Sequence, residues 1–309
     1  MANKTRFVGD SGLTARMTLV MFLLGLLFVV LIVGIAGAVG ATAGYGLAVI
    51  VALVGIGMAV YQWANSDKVA MKAMRAREVT PQEAPELHGM IDRLCALADM
   101  PKPRVGIADT KVPNAFATGR SPERSVVCVT TGILQRLTAE ELEGVLAHEL
   151  SHVAHRDVLV MTVASSAGIT AGMLAQGSQY GAFLGGGRRD NNGGLPIWLV
   201  VLLVSAAVYA VSFLLLRILS RYRELSADRA GAYLTLNPGA LASALGKISG
   251  DMAAIPDKDL RQVSAASALC IAPAFKGNDV KALFSTHPSL EQRIAQLSKI
   301  QAELGRPGV

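Results

Sequence analysis

Residues 146–155 read LAHELSHVAH, and the reading of this stretch decides the rest of the chain. It holds three of the five histidines in a 309-residue sequence, with one glutamate among them. His148 and His152 are four residues apart, so on a helix both imidazoles leave from one face and can converge on a single cation. Glu149, beside the first, can reach a water on that cation and take its proton. Two ordinary core or solvated histidines are the plainer alternative. The setting weighs against it. Thr138 followed by Glu141 forms a capping box that opens a helix, and Leu142, Val145, Leu146 and Leu150 give that helix an apolar face to bury. The metal expected here is zinc, one ion per chain.

A histidine pair needs a third protein ligand. His155 lies seven residues beyond His148, which is ~10 Å along a straight helix at 1.5 Å per residue, too far for three side chains to close on one ion. The pattern H-E-x-x-H-x-x-G-x-x-H solves this with a glycine turn, and VAHRDV (153–158) has no glycine. Glu224, in RYRELSAD (221–228), is the better candidate. Asp228, one turn further on the same face, is placed to accept the free N–H of a ligating histidine. By itself, Glu224 beside Arg223 reads as an exposed helix acid. The stretch from 152 to 224 is filled by apolar segments whose hairpin can bring the chain back to its starting side.

Composition places the chain at a membrane. It is 52% hydrophobic and 17% charged, with a net charge of +6, and its mean hydropathy is positive, too apolar for an ordinary soluble enzyme. The basic residues sit beside the apolar runs rather than in a stripe interleaved with aromatics, which excludes nucleic acid as the expected partner. They read as flanks of spans facing anionic headgroups. Cys95, Cys128 and Cys270 are far apart and form no C-x-x-C pair, so neither disulfides nor a thiolate zinc site is expected.

The sequence divides into four parts. Residues 1–64 form an amino-terminal hairpin, with spans at about 18–38 and 41–63. The first run is longer than the apolar core of a signal peptide, and a second follows almost at once. Residues 65–157 are the first part of the polar domain. There 80–97 reads as a capped amphipathic helix, and PRVGIAD (103–109) and SVVCVTT (125–131) as short strands around the turn-rich KVPNAFATGRSPE. Residues 158–220 hold a second hydrophobic pair: 158–184 is weak, compatible with spanning, a re-entrant position or packing on the protein, whereas 195–216 is strong. Residues 221–309 are helices broken at Pro238, Pro256 and Pro273. Lys and Arg beside the first, second and last spans place the polar parts in the cytoplasm.

H-E-x-x-H, the later R-E-x-x-A-D (Arg223–Asp228) and the terminal H-P-x-x-x-x-R (His287–Arg293) together resemble the HtpX-type membrane zinc endopeptidases, relatives of the CAAX prenyl endopeptidases. The resemblance covers nearly the whole chain. It implies a gluzincin protease domain in a mostly α, multi-pass protein of the inner membrane, with a small β-sheet whose edge strand receives substrate. Asn114, Ala115, Phe116 and Ala117 would be that edge, pairing with the substrate backbone. His287 would bond the oxyanion of the tetrahedral intermediate, and Arg293 would pair with an acid and hold its segment. The resemblance further implies quality control of misfolded membrane proteins under stress, with unfolded or misfolded membrane proteins and the lipid bilayer as partners. It implies no oligomeric state. A processing protease for one membrane peptide is an alternative within the class. A silent, zinc-stabilised scaffold is another outside it, against which the intact Glu149 argues.

Overall fold

SVVCVT (125–130) has no charge and three valines, the composition of a strand buried on both faces. In the computed structural model it is β4 (Ser125–Thr130), with all six positions buried. β2 (Arg104–Ala108) pairs with it in parallel and β3 (Ala115–Gly119) pairs antiparallel on its other side. β1 (Ala76–Glu78) adds antiparallel to β2, giving a mixed sheet of order β1-β2-β4-β3 with β3 at one edge. The structure describes residues 9–43, 64–156, 197–254 and 288–305, together with Phe7, Ile271 and several positions between 49 and 61.

Two of these strands fall where the sequence predicts them. β3 forms inside the stretch whose composition reads as turns, at the edge position that the family resemblance implies for residues 114–117, because β4 offers it a continuous antiparallel register from Ala115 to Gly119. β1 is unforeseen, since its residues ARE carry two charges and no β-branched side chain. They extend only because β2 presents an unpaired edge. The helix expected at 80–97 begins later, as α3 (Pro85–Ala98), after α2 (Ser66–Ala73) and β1. Pro85 disfavours helical geometry in the residue before it, and Ala84 sits at φ −142° and ψ 64°. Residues 80–84 instead close a turn, in which the Thr80 N–H donates to Glu83 Oε2 at 2.8 Å.

After β4 come α4 (Thr131–Arg136) and α5 (Ala139–Ala154). The capping box forms: Thr138 N–H donates to Glu141 Oε2 at 2.9 Å and Glu141 N–H to Thr138 Oγ1 at 3.3 Å. α5 packs on β3 and on α7 (Pro238–Ala254), which in turn packs on α8 (Leu290–Glu303). Leu146 and Leu150 of α5, Ile91 and Leu94 of α3, and Leu245 and Ile248 of α7 are buried in one core. Each such side chain contributes ~1.5–3 kcal/mol by leaving water. Glu141 also ties α5 to α7, accepting from Lys247 Nζ at 2.8 Å and Ser243 Oγ at 2.7 Å.

Two long helices carry the apolar runs. α1 (Ser11–Ala43) contains the predicted first span, and it continues past the break expected near residue 40 because GAVGATA (37–43) holds no proline or charge to stop it. α6 (Ile197–Thr235) is a single 39-residue helix that includes both the strong span and RYRELSAD. Leu19, Phe22 and Leu26 on α1 and Leu203, Leu214 and Ile218 on α6 are exposed, a pattern suited to lipid rather than water. Among the described residues, Leu202–Thr235 is long and apolar enough to cross a membrane, and Ser11–Leu27 is a shorter apolar helix. The expected segment 158–184 and most of 41–63 lie outside the described residues. The chain forms two compact units: Met1–Thr14, Asn65–Leu159 and Ser220–Val309 make one, and Ala15–Ala64 with Val160–Leu219 the other.

Candidate active site

α5 is buried along most of its length, and beyond Glu141 its buried polar residues are those of the motif, His148, Glu149 and His152, with Ser151 Oγ donating to the His148 carbonyl at 2.7 Å. The i, i+4 spacing brings His148 Nε2 and His152 Nε2 to 3.2 Å of each other. Glu224, from α6, faces both. Its Oε2 lies 3.4 Å from His148 Nε2 and its Oε1 lies 3.6 Å from His152 Nε2. Ligands around tetrahedral zinc, at 2.0–2.2 Å from the metal, are separated by about 3.3–3.6 Å. The observed separations, 3.2 to 3.6 Å, lie close to that spacing, with one Glu224 oxygen facing each histidine. Three such donors, buried and facing one another, suit a divalent cation far better than they suit each other, and they form the metal-capable cluster among the described residues.

The approach of α6 to α5 depends on Gly231. A Cβ there would lie 3.0 Å from the His148 backbone nitrogen and 3.3 Å from the Ala147 carbonyl carbon. A glycine lets the two helices approach this closely without the α5 backbone having to give way. One turn below Glu224, Asp228 Oδ1 lies 2.9 Å from His148 Nδ1, an ion-pair distance at an angle short of ideal for a hydrogen bond. Arg293 of α8 grips the same carboxylate, donating from Nη2 to Oδ1 at 2.6 Å and from Nε to Oδ2 at 2.7 Å. Its Nη1 donates to the Ile271 carbonyl at 2.8 Å. Ile271 N–H in turn donates to Asn114 Oδ1 at 3.0 Å. A continuous polar chain therefore runs from His148 to the start of β3.

Burial alone would push the His148 imidazole down, but Asp228 and Glu224 outweigh it and hold the ring up at about 9 without metal. Metal uptake must therefore displace a proton from it. Burial lifts the Glu149 carboxyl above the usual carboxylate range; the neighbouring His148 and His152 oppose this, and Glu224 adds to it. A base poised in that direction is better matched to neutral pH than an ordinary glutamate.

His155 stands apart from the cluster. α5 ends at Ala154, His155 is its C-cap, and its ring packs on Phe7 with centroids 6.2 Å apart. Asn114 immediately precedes edge strand β3 and Ala115 to Ala117 begin it, all four buried. Asn114 is a lock: its N–H donates to Thr130 Oγ1 at 2.9 Å while its amide holds Ile271. His287 lies outside the described residues. Sequence reasoning missed Gly231, whose signal is no more than a glycine among small residues one turn beyond Asp228.

A helix bearing H-E-x-x-H, a carboxylate from a following helix and a small flanking sheet define a metalloprotease. Residues 81–301 match peptidase family M48. Protease HtpX homolog 1 of Streptomyces coelicolor is 54% identical over 304 residues, covering 98% of this chain and 97% of that protein. The protease HtpX homolog of Moorella thermoacetica is 51% identical over 297 residues, covering 96% of each. The crystal structure of S. mikatae Ste24p is similar in fold, with a TM-score of 0.52 at 16% identity, over 92% of this chain and 65% of that one. The chain belongs to peptidase family M48, and the resemblance read from its three motifs is borne out.

Proposed function

We propose that the protein is a zinc endopeptidase of the gluzincin type, with His148, His152 and Glu224 as ligands and Glu149 as general base. The observation that carries this reading is that His148, His152 and Glu224 are buried and each offers a donor atom within 4.8 Å of the other two. Zinc bound there supplies a Lewis acid that acidifies water and polarises the scissile carbonyl. Glu149 takes the proton of the attacking water at its carboxylate and delivers it to the leaving amine. Asp228 faces His148 Nδ1, which keeps the proton on that nitrogen and leaves Nε2 as the donor to metal. Arg293 offsets the buried charge of Asp228. On this reading edge strand β3 takes the substrate backbone by strand addition at Asn114–Ala117. His287 is the proposed oxyanion donor.

The setting we infer is a multi-pass protein of the inner membrane with this site on the cytoplasmic side. Arg217, Arg221 and Arg223 follow the apolar half of α6, and Lys68, Lys72, Arg75 and Arg77 follow the second predicted span, as positive-inside bias requires. Its substrates on this reading are unfolded or misfolded membrane proteins, cleared as quality control. Glu149→Gln keeps the side-chain size and removes the base. Purified variant should retain zinc and lose cleavage of unfolded casein. Full cleavage by zinc-loaded Glu149→Gln would sink the mechanism.

A further inference from the structure

The back of α6 is held as closely as its front. On a helix turning 100° per residue, Tyr222 and Ser226 lie about 160° away from Glu224, whereas Asp228 lies about 40° away. Asp10, just ahead of α1, meets that back face. Its Oδ2 accepts from Ser226 Oγ at 2.8 Å and its Oδ1 accepts from Tyr222 Oη at 3.3 Å. The same Oδ1 accepts the Leu13 N–H at 2.8 Å, so one carboxylate caps α1 and fastens α6. Gly12 makes the contact close: a Cβ there would fall 2.6 Å from Tyr222 Oη. Phe7, three residues before Asp10, is buried against His155 at the end of α5. The amino-terminal residues therefore touch α6 on the side opposite Glu224 and, through Phe7, the residue that caps α5.

We propose that Asp10 is a positioning residue for the metal centre: through Ser226 and Tyr222 it fixes the rotation of α6 that presents Glu224 and Asp228 to α5. The inference rests on the reading of Glu224 as a zinc ligand. Leverage is what makes it consequential. A side-chain carboxylate stands about 6 Å from the helix axis, so a rotation of about 20° moves it by about 2 Å, the length of a zinc–oxygen bond. α6 has a glycine, Gly231, at its contact with α5, and a glycine carries no side chain to resist such a turn. Two hydroxyls one turn apart, bonded to a single carboxylate, do resist it.

The test uses the full-length protein in detergent on a Glu149→Gln background, so that nothing depends on proteolysis. Zinc affinity is read by competition with a chelator, site geometry by the visible spectrum of the cobalt(II)-loaded protein, and fold by the melting temperature of the metal-free form. Asp10→Ala and Ser226→Ala should each weaken zinc about tenfold, in the range typical of residues that orient ligands, and should alter the cobalt spectrum. Asp10→Asn keeps a capping oxygen and a polar partner for Ser226, and should restore most of both. Ser226→Ala leaves the cap on α1 in place, so it decides the matter if Asp10→Ala fails to fold. Unchanged zinc affinity and spectrum in Ser226→Ala and in Tyr222→Phe, whatever their melting temperatures, would overturn the proposal. Absence of zinc from the parent protein would overturn the ligand assignment itself, a separate result.

Discussion

Arg293→Ala is the substitution whose cost the structure specifies best. Arg293 is 2% exposed and Asp228 0%, and the two form a forked pair at 2.6 and 2.7 Å. Arginine suits this geometry because its rigid fork matches a carboxylate, which a lysine point charge cannot do. Truncation leaves a buried carboxylate facing only His148, and it strips the Ile271 carbonyl of its donor. Breaking one side of a buried pair costs about 3–5 kcal/mol, because the surviving charge is stranded. At ~2–4 °C per kcal/mol for a unit of this size, the metal-free protein should melt ~6–20 °C lower. Removing both charges strands neither, so Arg293→Met with Asp228→Asn should recover several degrees relative to Arg293→Ala. Thermal unfolding in detergent, followed by circular dichroism with chelator present, measures each variant. A drop under ~2 °C, within the range of surface substitutions, would refute the reasoning; so would a double variant no better than the single one.

Gly231→Ala should cost ~1–3 kcal/mol by overpacking, because its methyl would press on the His148 backbone; it should also weaken zinc retention, and an unaltered melting point and zinc content would contradict the close approach of α6. Glu141 gives a pH signature. Burial acts to raise its carboxyl, but Lys247, Ser243 and the Thr138 N–H prevail and leave it below the usual glutamate value. Its contribution is therefore present above the unfolded-state value and lost as pH falls through the folded one. Glu141→Gln should flatten the acid limb of the stability–pH curve, and an identical acid limb in both proteins would count against the Lys247 and Ser243 contacts.

The elements most legible in the sequence are those whose cause is local. The Thr138/Glu141 box, the apolar stripe of α5 and the valine run of β4 each carry their own signal, and each forms where its residues indicate. β1 carries no such signal, because an unpaired neighbour makes it a strand and its own side chains do not, and β3 is indicated only by the family resemblance. α3 starts five residues after Thr80 because Pro85 overrides the earlier cap. At the site, spacing alone brings the two histidines together, and the length of α5 explains why His155 falls outside. What the sequence hides is lateral: Gly231, Asp10 and the path from Arg293 through Ile271 to Asn114 join residues from distant parts of the chain. No periodicity records such contacts.

Zinc content in two variants tests the central claim most directly. Glu224 and His155 are rivals for the third ligand position, and the structure sets them apart: Glu224 lies within 3.6 Å of both imidazole nitrogens, while His155 caps α5 and packs on Phe7. Elemental analysis of folded, purified samples should find stoichiometric zinc in His155→Ala and almost none in Glu224→Ala. Zinc kept by Glu224→Ala and lost from His155→Ala would contradict the account.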